Sequence, residues 1–282
     1  MICDLANYIR DGFIVVENLL DAEEIASIKG EAASICRGER GQIDGLLLPK
    51  TGADADELMS RYLCIHFPHK ISQVMLESMR HPRIVEVLTR IIGPNLKCMQ
   101  SMLFIKNAGK PGQAWHQDEN FIPTRDRSLT AAWIALDDAT VHNGCLWALS
   151  GSHKGGILWP DQQHHDVRFD SVPEAYGFPW EREGGKCIEV RAGSVLFFNG
   201  YLLHRSLQNT AKNGFRRALV YHYMSAESLL PWDWAGRTPT TRDNRDIVLI
   251  AGQDPYAYKG LASITRPFLR TESGSLAAGG QT

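Results

Sequence analysis

The residues of this chain best suited to chemistry are two histidines and an aspartate, His116 and Asp118 in Trp115-His-Gln-Asp118, and His204 farther along. The first group follows a glycine- and proline-rich turn and is expected on or beside a strand, where residues two apart point to the same face. His116 and Asp118 then converge while Gln117 points away. His204 follows the β-type run Ser194–Phe198 and the turn Asn199-Gly200. Two imidazoles and one carboxylate on one face of an octahedral ion leave the opposite positions open, the donor set of non-haem Fe(II) sites. With only one carboxylate the site stays net positive and attracts an anionic, bidentate co-substrate. A His-x-Asp triplet alone is common, so its surroundings must carry the argument. The other histidines (His66, His69, His81, His142, His153, His164, His165 and His222) read as surface, cap or core residues.

Elements that can position such a triad are visible in the periodicity. Asp21-Ala-Glu-Glu24 resembles a capping box, and Ile25, Ile28, Ala32 and Ile35 recur at spacings of three and four, which predicts an amphipathic helix over 21–36. Gly12-Phe-Ile-Val-Val16 before it is a β-type run. His81 to Ile92 carries proline near its first turn and Gly93-Pro94 at its stop, a second helix. Residues 39–60 have no sustained period and read as a long loop or flap. Beyond residue 95, the runs Met99–Ile105, Leu129–Leu136, Cys145–Leu149, Cys187–Val190, Ser194–Phe198 and Arg217–Tyr223 alternate with Gly, Asn, Asp and Pro clusters. That is the rhythm of an antiparallel barrel or jelly roll. The expected architecture is one domain over 1–270, mainly β with flanking helices, and the small, polar run 271–282 reads as a disordered tail.

Bulk properties narrow the class. The chain has 282 residues, 44% of them hydrophobic and 22% charged, so a sizeable core can be buried. Thirty basic against thirty-two acidic side chains, with no long Lys/Arg run, argue against a nucleic-acid partner. The six cysteines form no Cys-x-x-Cys pair, against a zinc ribbon and in favour of reduced thiols in a cytoplasmic protein. The sequence shows no signal peptide and no apolar run long enough for a membrane span. It says nothing of oligomeric state.

From about residue 8 to 226 the chain resembles the phytanoyl-CoA dioxygenase family of iron- and 2-oxoglutarate-dependent oxygenases. The matching pieces are Arg10-Asp-Gly-Phe-Ile-Val-Val16, Trp115-His-Gln-Asp118, Trp133-Ile-Ala-Leu-Asp-Asp138, Asn143-Gly-Cys-Leu146, Gly151-Ser-His-Lys-Gly155, Ala192-Gly-Ser-Val-Leu196, His204-x-Ser206 and Gly214-Phe-Arg-Arg-Ala218. The resemblance implies a double-stranded β-helix (jelly-roll, cupin-like) core with the metal at one open end. It implies His116, Asp118 and His204 as iron ligands, Arg216 as partner of the far carboxylate of 2-oxoglutarate, and Ser206 and Gln100 as polar contacts to that co-substrate. Arg217 stays open as the alternative to Arg216, since adjacent strand residues face opposite sides and only one of the two can do the job. A guanidinium is the expected partner because it offers two parallel donors to a carboxylate.

The reaction so implied uses Fe(II), 2-oxoglutarate and O₂, with ascorbate as a stimulant, hydroxylates an unactivated carbon of a small molecule, and releases succinate and CO₂. Related halogenases place a small residue where Asp118 stands, so the aspartate argues for hydroxylation, with desaturation or ring formation left open. Asn120, Phe121, Arg125 and Trp147 are candidate substrate contacts, and the loop 39–60 and Pro231–Asp243 are candidate lids. The substrate is not named by the resemblance. Two other readings compete: a non-oxidative cupin-like metal and ligand binder, and a zinc hydrolase, which would need a general base that the triad lacks.

Overall fold

The computed structural model describes residues 5–47, 52, 54–228 and 244–272. In chain order its helices are α1 (Leu5–Asp11), α2 (Ala22–Cys36), α3 (Ala55–Met59), α4 (Gln73–Met79) and α5 (Pro82–Ile91). The strands are β1 (Phe13–Val16), β2 (Cys64–His66), β3 (Leu96–Asn107), β4 (Gln113–His116), β5 (Thr130–Ala135), β6 (Leu146–Ala148), β7 (Asp161–Gln162), β8 (Glu174–Ala175), β9 (Lys186–Ile188), β10 (Val195–Asn199), β11 (His204–Ser206), β12 (Phe215–Ser225), β13 (Asn244–Arg245), β14 (Val248–Ala251), β15 (Leu261–Ala262) and β16 (Phe268–Arg270).

Local chemistry starts the helices where the sequence predicts. The Asp21 carboxylate accepts the N–H of Glu24 at 2.9 Å, and the Glu24 carboxylate accepts the N–H of Asp21 at 2.8 Å, so two of the otherwise orphan donors at the start of α2 are satisfied. Pro82 opens α5, as its fixed φ allows. Within 39–60, α3 is a helix that periodicity over five residues cannot reveal. Its signal is Asp54, whose side chain accepts the N–H of Glu57 at 2.8 Å.

Each β-type run read from the sequence holds a strand, and these strands form two antiparallel sheets. One has eight strands in the order β1-β10-β5-β12-β3-β2-β16, with β14 also on β3; the other has four, in the order β4-β11-β6-β9. Side-chain alternation divides the core. Ala131, Trp133, Ala135, Leu196, Phe198, Ala218 and Val220 pack between the sheets, against Leu146, Ala148 and Ile188 of the smaller one. Ala132, Ile134, Val195, Phe197, Leu219, Tyr221 and Tyr223 face the opposite way and pack with Ile28, Ile35, Met75, Met79, Ile84 and Leu88 of the helices. Fully burying one such isoleucine or leucine contributes about 1.5–3 kcal/mol. This is a jelly-roll core with a helical layer on one face.

The candidate lid Pro231–Asp243 and residues 273–282 of the expected tail lie outside the described residues. Arg270 lies on β16, and Glu272 beyond it receives Lys110 Nζ at 2.8 Å. Cys36, Cys64, Cys98, Cys145 and Cys187 are free thiols. No helix among the described residues is long and apolar enough to cross a membrane.

Candidate metal centre

His116 and His204 are brought together by strand pairing. β4 and β11 are antiparallel neighbours with His116 directly opposite His204, and the two imidazole centroids are 4.1 Å apart. Gly112, in the turn before β4, permits the approach, because a Cβ there would lie 1.9 Å from the carbonyl oxygen of Ser206. β4 ends at His116, and Asp118 opens a one-turn 3₁₀ helix that swings its carboxylate back toward both rings. Asp118 Oδ1 lies 3.7 Å from His116 Nε2 and 3.6 Å from His204 Nε2.

The tautomers are fixed by the backbone. His116 Nδ1 donates to Ala114 O at 2.8 Å and His204 Nδ1 donates to Leu202 O at 3.0 Å. A carbonyl cannot donate, so both Nδ1 atoms carry hydrogen and both Nε2 lone pairs face the centre, as for histidines prepared to bind a metal. The ligand atoms of His116, Asp118 and His204 all lie within 4.8 Å of one another. Burial, with His116 alongside, pushes His204 down to about 4. For Asp118 burial acts upward, but the charges of His204 and His222 outweigh it and hold the carboxyl below its ordinary range. Two imidazoles whose Nε2 atoms are left free and one carboxylate, their donor atoms converging, are the set that a divalent ion requires, and the residues fit it.

Gln117 points away, as expected, and its amide is fully used. Nε2 donates to Tyr201 O at 2.7 Å and to Ile157 O at 2.9 Å, while Oε1 accepts the N–H of Trp159 at 2.9 Å. Glu119, raised to about 7 by burial, accepts both the N–H (2.6 Å) and the hydroxyl (2.7 Å) of Thr124. The turn that carries Asp118 is thereby pinned on both sides.

A cavity of about 160 Å³ adjoins the triad. Gln100, Ser206 and Arg216 all line it, so the structure brings the expected metal ligands and the expected co-substrate contacts to one chamber. Strand alternation separates the two arginines. On β12, Arg216, Ala218, Val220 and His222 stand opposite Lys106, Phe104, Met102 and Gln100 of β3. Arg216 is buried beside the chamber, with Nε donating to Gly144 O at 3.1 Å and the guanidinium 5.5 Å from the Trp133 ring. Burial lowers it to about 10, still charged at neutral pH. Arg217 faces the helical side, where Asp137 accepts its Nε at 2.8 Å and its Nη2 at 2.9 Å.

Among the candidate substrate contacts, Phe121 lines the chamber, its ring 6.2 Å from that of His116. Asn120 is instead turned to Trp159 O at 3.3 Å, and Trp147 lies on the other face of β6, under the Arg205 guanidinium at 5.8 Å. Arg125 does not line the chamber; its N–H donates to Ser228 Oγ at 3.1 Å. Two histidines were underrated by sequence reasoning. His222 donates from Nε2 to Asp118 Oδ2 at 3.1 Å, and His66 lines the chamber with its ring stacked 4.0 Å from Phe268. A larger groove of about 670 Å³ runs along β1 and α5, but its Arg10 is matched by Asp11 and its Arg90 by Glu86, and no histidine lines it.

The comparisons with known proteins agree with this geometry. The family model described as phytanoyl-CoA dioxygenase (PhyH) matches residues 8–218. The chain is 32% identical over 208 residues to a phytanoyl-CoA dioxygenase of Arabidopsis thaliana, covering 73% of this chain and 67% of that protein. Among solved structures it is similar to the apo non-heme monooxygenase ThoJ, with a TM-score of 0.66 and 19% identity over 95% of this chain and 88% of that one. It is also similar to the epimerase SnoN in complex with Fe³⁺, alpha ketoglutarate and nogalamycin RO, with a TM-score of 0.63 and 22% identity over 88% and 94%.

Proposed function

The chain belongs to the phytanoyl-CoA dioxygenase family and is an Fe/2-oxoglutarate dioxygenase, and we propose that it hydroxylates an unactivated carbon of a small molecule. The observation that carries the reading is one chamber with two jobs: a triad of free donor atoms at one wall and the buried guanidinium of Arg216 in another. His116, Asp118 and His204 hold the ion. When bound, ferrous iron supplies the activation of O₂, coupled to conversion of 2-oxoglutarate to succinate and CO₂.

The chain's own residues set orientation. Arg216 takes the distal carboxylate of the keto acid, and Ser206 and Gln100 contribute polar contacts to the same molecule. The apolar walls include Met102, Phe121, Ile122, Leu146 and Val172, which exclude water and favour an uncharged stretch of substrate. Asp118 and Arg216 are the charged carboxylate and guanidinium of the chamber and both are committed, so a charged group on the substrate has no partner left at the reacting end. That agrees with attack on a hydrocarbon position. A non-oxidative binder would have no use for a buried arginine beside a metal triad.

Purified protein given Fe(II), ascorbate and 2-oxoglutarate under argon is expected to develop a weak visible charge-transfer band. A screen of small molecules in air, read as succinate release, then identifies the substrate. A parent protein without the band, or a His204→Ala variant releasing succinate at the parental rate, overturns the reading.

A further inference from the structure

Lys106 is a lysine in a place that a lysine should not occupy alone. It sits on β3, 6% exposed, directly opposite Arg216 of β12, so the two side chains share one face of the sheet. Burial, reinforced by the Arg216 charge, pushes its ammonium well below the ordinary lysine range. No carboxylate among the described residues pairs with either cation. A small recess that shares Phe104, Gln113, Ser206 and Arg216 with the chamber is lined also by Lys106, Asp170 and Arg270. Its one carboxylate, Asp170, is held by Arg270 at 2.9 Å. Lys106, Arg216 and Arg270 thus outnumber the one carboxylate of a buried place, an arrangement that an anion stabilises.

The hydrogen bonds fix where the Lys106 side chain ends. Its Nζ donates to Leu207 O at 2.6 Å and to Ser206 Oγ at 2.9 Å. Ser206 Oγ also accepts the N–H of Gln113 at 3.2 Å. A hydroxyl oxygen has two lone pairs and one hydrogen. With both lone pairs engaged, the Ser206 hydrogen is the free member and must seek an acceptor. Gly144 keeps the assembly tight: its φ is +84°, its carbonyl accepts Arg216 Nε, and a Cβ there would lie 2.9 Å from Lys106 Cδ and 3.0 Å from Nζ.

We propose that Lys106 is a positioning residue for the anionic co-substrate: it holds Ser206 as a hydroxyl donor and adds a second positive charge beside Arg216 at the distal carboxylate. The inference rests on the 2-oxoglutarate reading above. It says that recognition of the far end of the keto acid is shared by a guanidinium, an oriented hydroxyl and a buried ammonium.

The test compares two probes on the Fe(II)-loaded protein under argon, 2-oxoglutarate and 2-oxopentanoate, which keeps the keto acid and lacks the distal carboxylate. The parent is expected to prefer 2-oxoglutarate, read from titration of the visible band. Lys106→Met is expected to lower that preference roughly ten- to a hundredfold, as for a lost hydrogen bond to a charged group, with 2-oxopentanoate binding little changed. Lys106→Gln, which keeps a donor toward Leu207 without the charge, is the second variant and is expected to lose preference as well. Ser206→Ala combined with either should cost little more than the single change. A parent that binds neither probe overturns the co-substrate reading and this proposal together. A parent that prefers 2-oxoglutarate, with lysine variants that prefer it equally or weaken both probes alike, overturns the role of Lys106 and leaves that reading intact.

Discussion

His222 Nε2 donates to Asp118 Oδ2 at 3.1 Å, on the carboxylate oxygen opposite the one that faces His116 and His204. The two oxygens of one side chain are thus divided: Oδ1 turns to the imidazole pair, and Oδ2 is anchored to β12. A carboxylate held in this way is set to offer one oxygen to a metal. Replacing His222 with Ala is expected to weaken metal binding about 10–100-fold, as losses behind a ligand usually do. Calorimetric titration of the metal-free protein checks it, and an affinity equal to the parent's would show that the anchor is dispensable.

The neighbouring arginines separate binding from stability. Arg216→Ala is expected to weaken 2-oxoglutarate binding roughly a hundredfold. Arg217→Ala should leave that affinity within about twofold while lowering unfolding free energy by about 1.5 kcal/mol, because it removes the two-point hydrogen bonding to Asp137, which Lys29 still holds at 2.7 Å. Titration of the keto acid and urea unfolding on both variants decide it; the reverse pattern would mean that Arg217 is the co-substrate residue.

A buried histidine away from the metal centre sets an acid sensitivity. His69 is pushed down from 6.5 to about 4 by burial and by Lys70, and its Nδ1 contacts Ser101 Oγ at 2.6 Å. Between those two values the unfolded chain takes a proton that the folded chain refuses, so stability is highest above pH 6.5 and falls as pH falls toward 4. His69→Asn is expected to flatten the dependence of unfolding free energy on pH by about 1 kcal/mol per pH unit in that window. Urea titrations of parent and variant across the window measure the difference, in which all other titrating groups cancel.

The capping box of α2 gives a control outside the site. Asp21→Ala is expected to lower stability by about 1 kcal/mol and leave keto-acid affinity unchanged. Thermal melting together with the visible-band titration would reveal any hidden link between that helix and the chamber.

The candidate metal triad, the strand runs and the two longer helices were legible because each depends on nearby residue types: His-x-Asp beside a strand, β-branched clusters, an Asp21 cap with Glu24. Resemblance to a known family supplied the order of the pieces. His222 and Lys106 were not legible by those means, and Arg217 stayed open beside the Arg216 that the resemblance implied. Their placement follows from pairing between strands distant in the chain, since Lys106 and Gln100 meet Arg216 and His222 only through the register of β3 on β12. Even so, part of the signal was present. His222 is an even number of residues from Arg216 on one strand, so placing either in the chamber places both there. Trp147 failed as a wall for the same reason, since Leu146 and Ala148 took the inward positions on β6.

β12 carries an arginine and a histidine toward the chamber and Tyr221 and Tyr223 toward the helices, where their hydroxyls donate to Met75 O and Met79 O. One inserted or deleted residue between positions 216 and 222 would exchange those allegiances, turning a tyrosine inward and the histidine among the helices. Along this stretch length can therefore change only in steps of two, and even such a step would separate the arginine from the histidine by a different span. The strand is a spacer as much as a wall.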